Sequence, residues 1–322
     1  MTRSPDGIQP QIAPRKQGDF SKGYAAISGT VLIWSTPSLF MFYLNRFYDP
    51  YAQNFYRYSI ACLVVLPFVF YPFERRAVPL RLVLACLLPA LPNVVHQLTQ
   101  VMALFYMGPG AYAIFMRSTV IMTAILALIF FPEERWILRQ WRFQLGTLFG
   151  LLGATGVLWF QPGWAASHIP ARGLVIAFTS ALCWALYSVL VKRPSAKLGS
   201  VRSFGVIAFI TSVLLLPLTF AFGEIATPLH VSSQVNLVLV ISAITCISMA
   251  HVLYYVAIRE LGVALSQTLQ LLCPLAALGL SAWLFGERLT TLQLASAAVL
   301  LLGAFLAMGV KPQQTTESAE NI

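Results

Sequence analysis

Two arginines, two histidines and a set of amide side chains stand inside stretches of sequence that are otherwise apolar. Arg117 follows Ile114-Phe115-Met116 and precedes Ser118-Thr119-Val120-Ile121. Its guanidinium can grip a carboxylate or phosphate in a two-pronged fork, which suits recognition of an anionic group. The plainer reading is a side chain that reaches for an interface or bonds the carbonyls of a neighbouring helix. Asn93, His96, Gln97 and Gln100 are spaced so that they share one helical face. Such a stripe is either a cavity wall that exchanges hydrogen bonds with a polar metabolite or glue between helices. Ser248, His251 and Tyr255 repeat this spacing, and Gln267, Gln270 and Pro274 follow. Either histidine is suited to bind a transported proton, because imidazole titrates near neutral pH; the alternative is a neutral, hydrogen-bonded ring. Trp34, Trp184, Tyr187 and Ser188 would add apolar area with polar tips to the same cavity, or serve as ordinary packing.

The chemistry that is missing narrows the reading. All 11 acidic residues (Asp6, Asp19, Asp49, Glu74, Glu133, Glu134, Glu224, Glu260, Glu287, Glu317 and Glu320) fall in a tail, in a connection or at the end of an apolar run. A carrier of lipophilic cations would want a carboxylate within the membrane, so cationic cargo is disfavoured. No Gly-rich phosphate loop, zinc-ligand spacing or HExxH motif occurs, and no cofactor or metal is expected. Cys62, Cys86, Cys183, Cys246 and Cys273 lie in apolar runs without a CxxC spacing and read as small packing residues.

The elements that must position these residues are membrane helices. Of 322 residues, 58% are hydrophobic and 10% charged, against roughly 45–50% and about 25% in soluble domains. Apolar runs bounded by charge, Gly or Pro predict ten spans: 23–44, 51–70, 80–105, 110–131, 143–160, 172–191, 203–222, 235–258, 263–285 and 291–310. They lack the alternation of barrel strands. Residues 1–22 are polar, carry Pro5, Pro10 and Pro14, and lack a signal-peptide core, so the first span is expected to be retained. Residues 311–322 form a second polar tail.

A formal net charge of +10 could suggest nucleic acid, but the basic residues are scattered between apolar runs, so no nucleic-acid partner is expected. They fit membrane orientation better. With the N-terminus inside, the inner connections hold clusters such as Arg75, Arg76 and Arg81, or Lys192, Arg193, Lys197 and Arg202. The outer connections hold only Arg46, Arg172 and Arg288. The bias places both termini in the cytoplasm, in what is read as a bacterial inner membrane.

The spans repeat. Ala103-Leu104-Phe105-Tyr106-Met107-Gly108, an apolar helix and Phe131-Pro132-Glu133 match Ala257-Ile258-Arg259-Glu260-Leu261-Gly262, an apolar helix and Phe285-Gly286-Glu287. Leu151-Leu152-Gly153-Ala154 matches Leu301-Leu302-Gly303-Ala304, and Trp34 matches Trp184. The chain therefore divides into five-helix repeats at 23–160 and 172–310. Five is odd, so the second copy must be inverted, an arrangement typical of carriers with a central site.

In this layout the sequence resembles the ten-helix drug/metabolite transporters of the EamA type. Glu133-Glu134-Arg135 and Glu287-Arg288 at short-helix ends, Pro274 in the ninth span and Arg57 near the start of the second carry the resemblance. Val120, not proline, aligns with Pro274, so a matching kink in the fourth span is not expected. The resemblance implies a small-metabolite carrier, often an exporter.

The resulting expectation is an all-α membrane protein, a secondary transporter of amino-acid-like or organic-anion substrates by alternating access. The residues expected to contact substrate are Arg117, Asn93, His96, Gln97, Gln100, His251, Tyr255, Gln267, Gln270, Trp34, Trp184 and Tyr187. The alternatives are an intramembrane enzyme built on Arg117 and the histidines, or a sensor that transports nothing. Gly146, Gly150, Gly153 and Gly156 suit close helix contact, within the chain or at a homodimer interface.

Overall fold

The computed structural model describes residues 20–69, 80–160, 169–285 and 290–310. The tails, Arg75, Arg76, Glu287 and Arg288, and the Glu133 side chain fall outside the described set, as do the expectations placed on them. Among the described residues the chain is helical with no strand and forms ten long helical segments. Eight have the length and apolarity to cross a bilayer. The other two, Pro50–Val69 and Trp141–Trp159, have 20 and 19 residues but a more polar composition. Their reasons differ: the first buries Gln53, Asn54 and Arg57, and the second spends positions on glycine.

The bundle is apolar on its outer surface, as lipid demands, and holds its polar side chains within a largely apolar interior. Leu32, Leu63, Phe68, Val175, Trp283 and Phe305 point outward, while Arg57, Asn93, His96, Gln97, Ser188 and Gln267 are buried. End contacts fix the direction of each segment. The start of the first helix meets the last turn of the tenth, where the Tyr24 hydroxyl donates to the Met308 carbonyl at 2.9 Å. At the same end, Arg142 opening the fifth donates to Gly309, and Arg202 in the seventh donates to Val69. At the opposite end, Asp49 before the second helix accepts from the Glu224 amide just after the seventh. There too Tyr106, after the third, packs on Gly173 in the first turn of the sixth. The first repeat thus starts at one end and the second at the other, which is the inverted arrangement.

Helix pairing obeys the same symmetry. The first helix packs on the eighth as the third packs on the sixth, while second with seventh, fourth with ninth and fifth with tenth pair across the repeats. The fifth and tenth approach most closely. A Cβ at Gly146 would lie 2.7 Å from the Ala307 nitrogen, and Gly153 and Gly303 abut the backbone of Leu300 and Gly150. The glycine stripe is therefore filled within the chain, by the tenth helix at Gly146, Gly153 and Gly156 and by Leu271 of the ninth at Gly150.

Several spans predicted as continuous helices are broken. The first bends at Trp34-Ser35-Thr36, where the Ser35 and Thr36 hydroxyls donate to the Leu32 and Ile33 carbonyls and Pro37 starts a new helix. The eighth contains a π-helical stretch, Ala243–Met249, and the ninth a 3-10 turn, Gln270–Leu272. The fourth breaks at Arg117 without any proline, which corrects the expectation drawn from Val120. Arg117 Nε and the hydroxyls of Ser118 and Thr119 donate to Ala113, Phe115 and Met116, so side chains take carbonyls that the helix would otherwise use. Fourth and ninth helices are thus interrupted at equivalent depth by different chemistry.

Candidate functional site

Those interruptions border a cavity of about 270 Å³ in the middle of the bundle. It runs toward the end that holds Pro109 and Gly110 of the fourth helix, Val157 and Leu158 of the fifth and Gln293 of the tenth. Eight of the sequence-predicted residues line it: Trp34, His96, Gln97, Gln100, Arg117, Trp184, His251 and Gln270. They come from the first, third, fourth, sixth, eighth and ninth helices, so both repeats supply walls. Among the described lining residues there is no Asp or Glu.

Arg117 sits at the break of the fourth helix. Its Nε donates to Ala113 at 3.0 Å and its Nη1 to the Gln270 carbonyl of the ninth at 3.3 Å. Neutral carbonyls orient the guanidinium without cancelling its charge. The 3-10 turn of the ninth helix presents the Gln270 carbonyl to Arg117, which lines the cavity.

His251 lies within a shell of rings, 5.1 Å from Trp34, 5.4 Å from Phe204, 5.9 Å from Trp184 and 6.1 Å from Tyr187 between centroids. Its Nδ1 faces the Ile247 carbonyl at 2.9 Å and therefore donates, which leaves Nε2 as an acceptor with no protein partner. His96 is held likewise, Nδ1 to the Ser180 carbonyl at 2.9 Å, and its ring packs 4.9 Å from Trp184. Trp34 and Trp184 meet edge to face at 5.1 Å, and Trp34 Nε1 donates to the Cys246 carbonyl at 3.0 Å.

Four predicted residues do not line the cavity; they form the layer behind its wall. Asn93 accepts from the Tyr58 hydroxyl at 3.1 Å and donates to Thr211 at 3.1 Å. Gln267 donates to Ser188 at 2.9 Å, and the Tyr187 and Tyr255 hydroxyls meet at 2.6 Å. Each joins helices to one another, so glue is their placement here. The polar stripe of the third helix accordingly divides, Asn93 serving the packing while His96, Gln97 and Gln100 face the cavity.

Arg57 is a lining residue that the predicted site omitted. It is 1% exposed, its Nε donates to the Ser242 hydroxyl at 3.2 Å, and its Nη1 has no hydrogen-bond partner. The signal was present in the sequence, since a cation in an apolar run is the same anomaly that singled out Arg117. Gln293 was also missed; it closes a capping box with Thr290 at the start of the tenth helix.

The other end of the bundle is sealed around Glu134, which follows the fourth helix. Its carboxylate, with the residue only 3% exposed, pairs with Lys192 at the end of the sixth at 2.5 Å. It also accepts from the Val263 amide at 3.1 Å and the Ala264 amide at 3.4 Å, which open the ninth. Gly262, at φ 88°, permits this approach; a Cβ there would lie 3.0 Å from the carboxylate, in a backbone conformation that side chains rarely adopt. Lys192 Nζ in turn lies 3.9 Å above the Phe131 ring. The sequence placed Glu134 in a connection and gave no sign that it would be buried.

Comparison with known proteins agrees with this architecture. The model of the EamA-like transporter family matches residues 21–159 and again 171–309. An uncharacterized transporter of Haemophilus influenzae is 24% identical over 209 residues, covering 65% of this chain and 69% of that protein. A solved crystal structure superposes with a TM-score of 0.72 over 89% of this chain and 96% of its own, at 18% identity, a likeness of fold alone.

Proposed function

We propose, for a chain that belongs to the EamA-like transporter family, that it is a secondary carrier exporting small polar metabolites, amino-acid-like or organic-anion, by alternating access. The carrying observation is a central cavity walled by both repeats, with the Arg117 guanidinium oriented by neutral carbonyls and no carboxylate among its described lining residues. A cation so placed is costly in a membrane unless something answers its charge, and a substrate carboxylate does so. Closure at one end and a cavity toward the other supports rocking of the repeats about this site.

The bias of basic residues toward one set of connections supports an orientation with the Glu134 end toward the cytoplasm, all ten segments crossing an inner membrane and both termini inside. In that orientation the cavity faces outward.

The test is a thermal-shift screen of purified protein against amino acids, organic acids, nucleosides and lipophilic cations. A ligand specific to the folded state adds about 2.7 kcal/mol at a hundredfold excess over its Kd. Carboxylates are expected to stabilise the wild type and not Arg117→Ala, and reconstituted vesicles are expected to move the hit unchanged. Stabilisation by cations alone, insensitive to the substitution, overturns the substrate reading.

A further inference from the structure

Arg57 is buried more completely than any other charged residue described. It lies on the second helix, against Ser242 of the eighth, whereas Arg117 leans on the ninth. The two guanidiniums therefore belong to different walls of one cavity. Arg57 Nη1 has no protein acceptor, and Tyr58, Cys246 and His251, the titratable side chains that act on it, carry no negative charge in their ordinary forms. Structural arginines in membranes are paired with acids or saturated by carbonyls. Arg57 has one hydroxyl.

Charge balance extends the reading. A monoanion would leave one of the two cations uncompensated in the bundle, and a zwitterion, neutral in sum, would leave both. A ligand with two negative charges neutralises the cavity. Gln97 and His251 line the cavity, and their acceptors Oε1 and Nε2, buried and without protein partners, would take its hydroxyl or N–H groups after a small side-chain movement. We infer that Arg57 is a second anion-binding residue of this cavity, and that the preferred ligand is a small dianion, a dicarboxylate or an organic phosphate. This rests on the carrier reading above and narrows its substrate class.

The experiment compares ligands that differ in charge and little in size. Purified protein is titrated by thermal shift with succinate, glycerol phosphate, monomethyl succinate and glutamine, as wild type, Arg57→Gln, Arg57→Lys and Arg117→Ala. In the wild type, succinate or glycerol phosphate is expected to half-saturate at a concentration at least tenfold below monomethyl succinate and glutamine. Which of the two dianions binds tighter identifies the anionic group.

Arg57→Gln is expected to abolish the preference while shifting monomethyl succinate less than threefold, and Arg57→Lys is expected to retain most of it. Should Arg57→Gln not fold, Cys246→Asp provides a carboxylate beside Arg57 and is expected to erase the preference in the same way. The inference is overturned if the preference persists in Arg57→Gln or Cys246→Asp, or if monoanions or glutamine bind the wild type as tightly as dianions. In those cases sensitivity to Arg117→Ala would leave the carrier reading standing. Failure of every anion to stabilise the wild type overturns both.

Discussion

Lys192 and Arg57 are cations buried to a similar degree, 4% and 1% exposed, in the same bundle, and their surroundings could hardly differ more. Lys192 has a carboxylate at 2.5 Å, and that carboxylate is itself bonded to two amides of the ninth helix. Arg57 has a serine hydroxyl and an unpartnered Nη1. At the Glu134 end the protein answers its own charge and the helices close together. In the cavity it leaves charge unanswered, and a ligand can supply what the protein withholds. A buried cation with a carboxylate of its own protein beside it, as at Lys192, is a fastener; on the inference drawn above, one without it, as at Arg57, is a binding group.

The largest effect should come from breaking the fastener. Lys192→Met leaves Glu134 buried beside Phe131 without its counter-charge, and loss of one partner of a buried pair costs about 3–5 kcal/mol. Denaturation in detergent should show that loss, and the double variant Lys192→Met with Glu134→Gln should recover most of it, because no charge then remains buried. A single variant as stable as the wild type would mean that the pair does not hold this end closed.

Arg57→Gln should move stability the other way in the absence of ligand. An unsatisfied buried donor costs about 1–3 kcal/mol, and more when charged, so its removal should leave the unliganded protein as stable as the wild type or more so. Ser242 keeps its own bond to Leu239 in the variant. A fall in melting temperature as large as that of Lys192→Met would erase the contrast between the two cations and make Arg57 a structural residue.

The helices and part of the cavity wall could be read from the sequence, but this contrast could not, and the unread part has a physical reason. Helix positions, the repeat and its inversion follow from hydropathy and odd parity, both local or counting properties. Arg117 and the amide stripe stood out because polar groups in apolar runs are costly. Depth was not legible: Glu134 looked like a connection residue, since nothing local says that the ninth helix will start against it. Direction within a helix face was not legible either: Asn93 turns to Tyr58 and Thr211, while Gln97, one turn on, reaches back to Asn93 and also lines the cavity. The break at Arg117 was missed because it arises from competition among three side chains for carbonyls rather than from proline.

The smallest effect concerns the wall behind the cavity and tests whether lining is what matters. Asn93 touches Tyr58 and Thr211, and Tyr187 touches Tyr255, all on the protein side of the site. Hydrogen bonds between membrane helices average about 0.6 kcal/mol in double-mutant cycles. Tyr187→Phe removes one hydroxyl and keeps the ring that packs 5.3 Å from Trp184. It should lower the melting temperature slightly and leave the affinity for any stabilising ligand within twofold, whereas Gln97→Ala, one layer inward, should weaken affinity with little change in stability. If Tyr187→Phe instead costs affinity and spares stability, the boundary between wall and site lies further out than the cavity surface, and the Tyr187–Tyr255 pair belongs among the groups that meet the substrate when the bundle rocks.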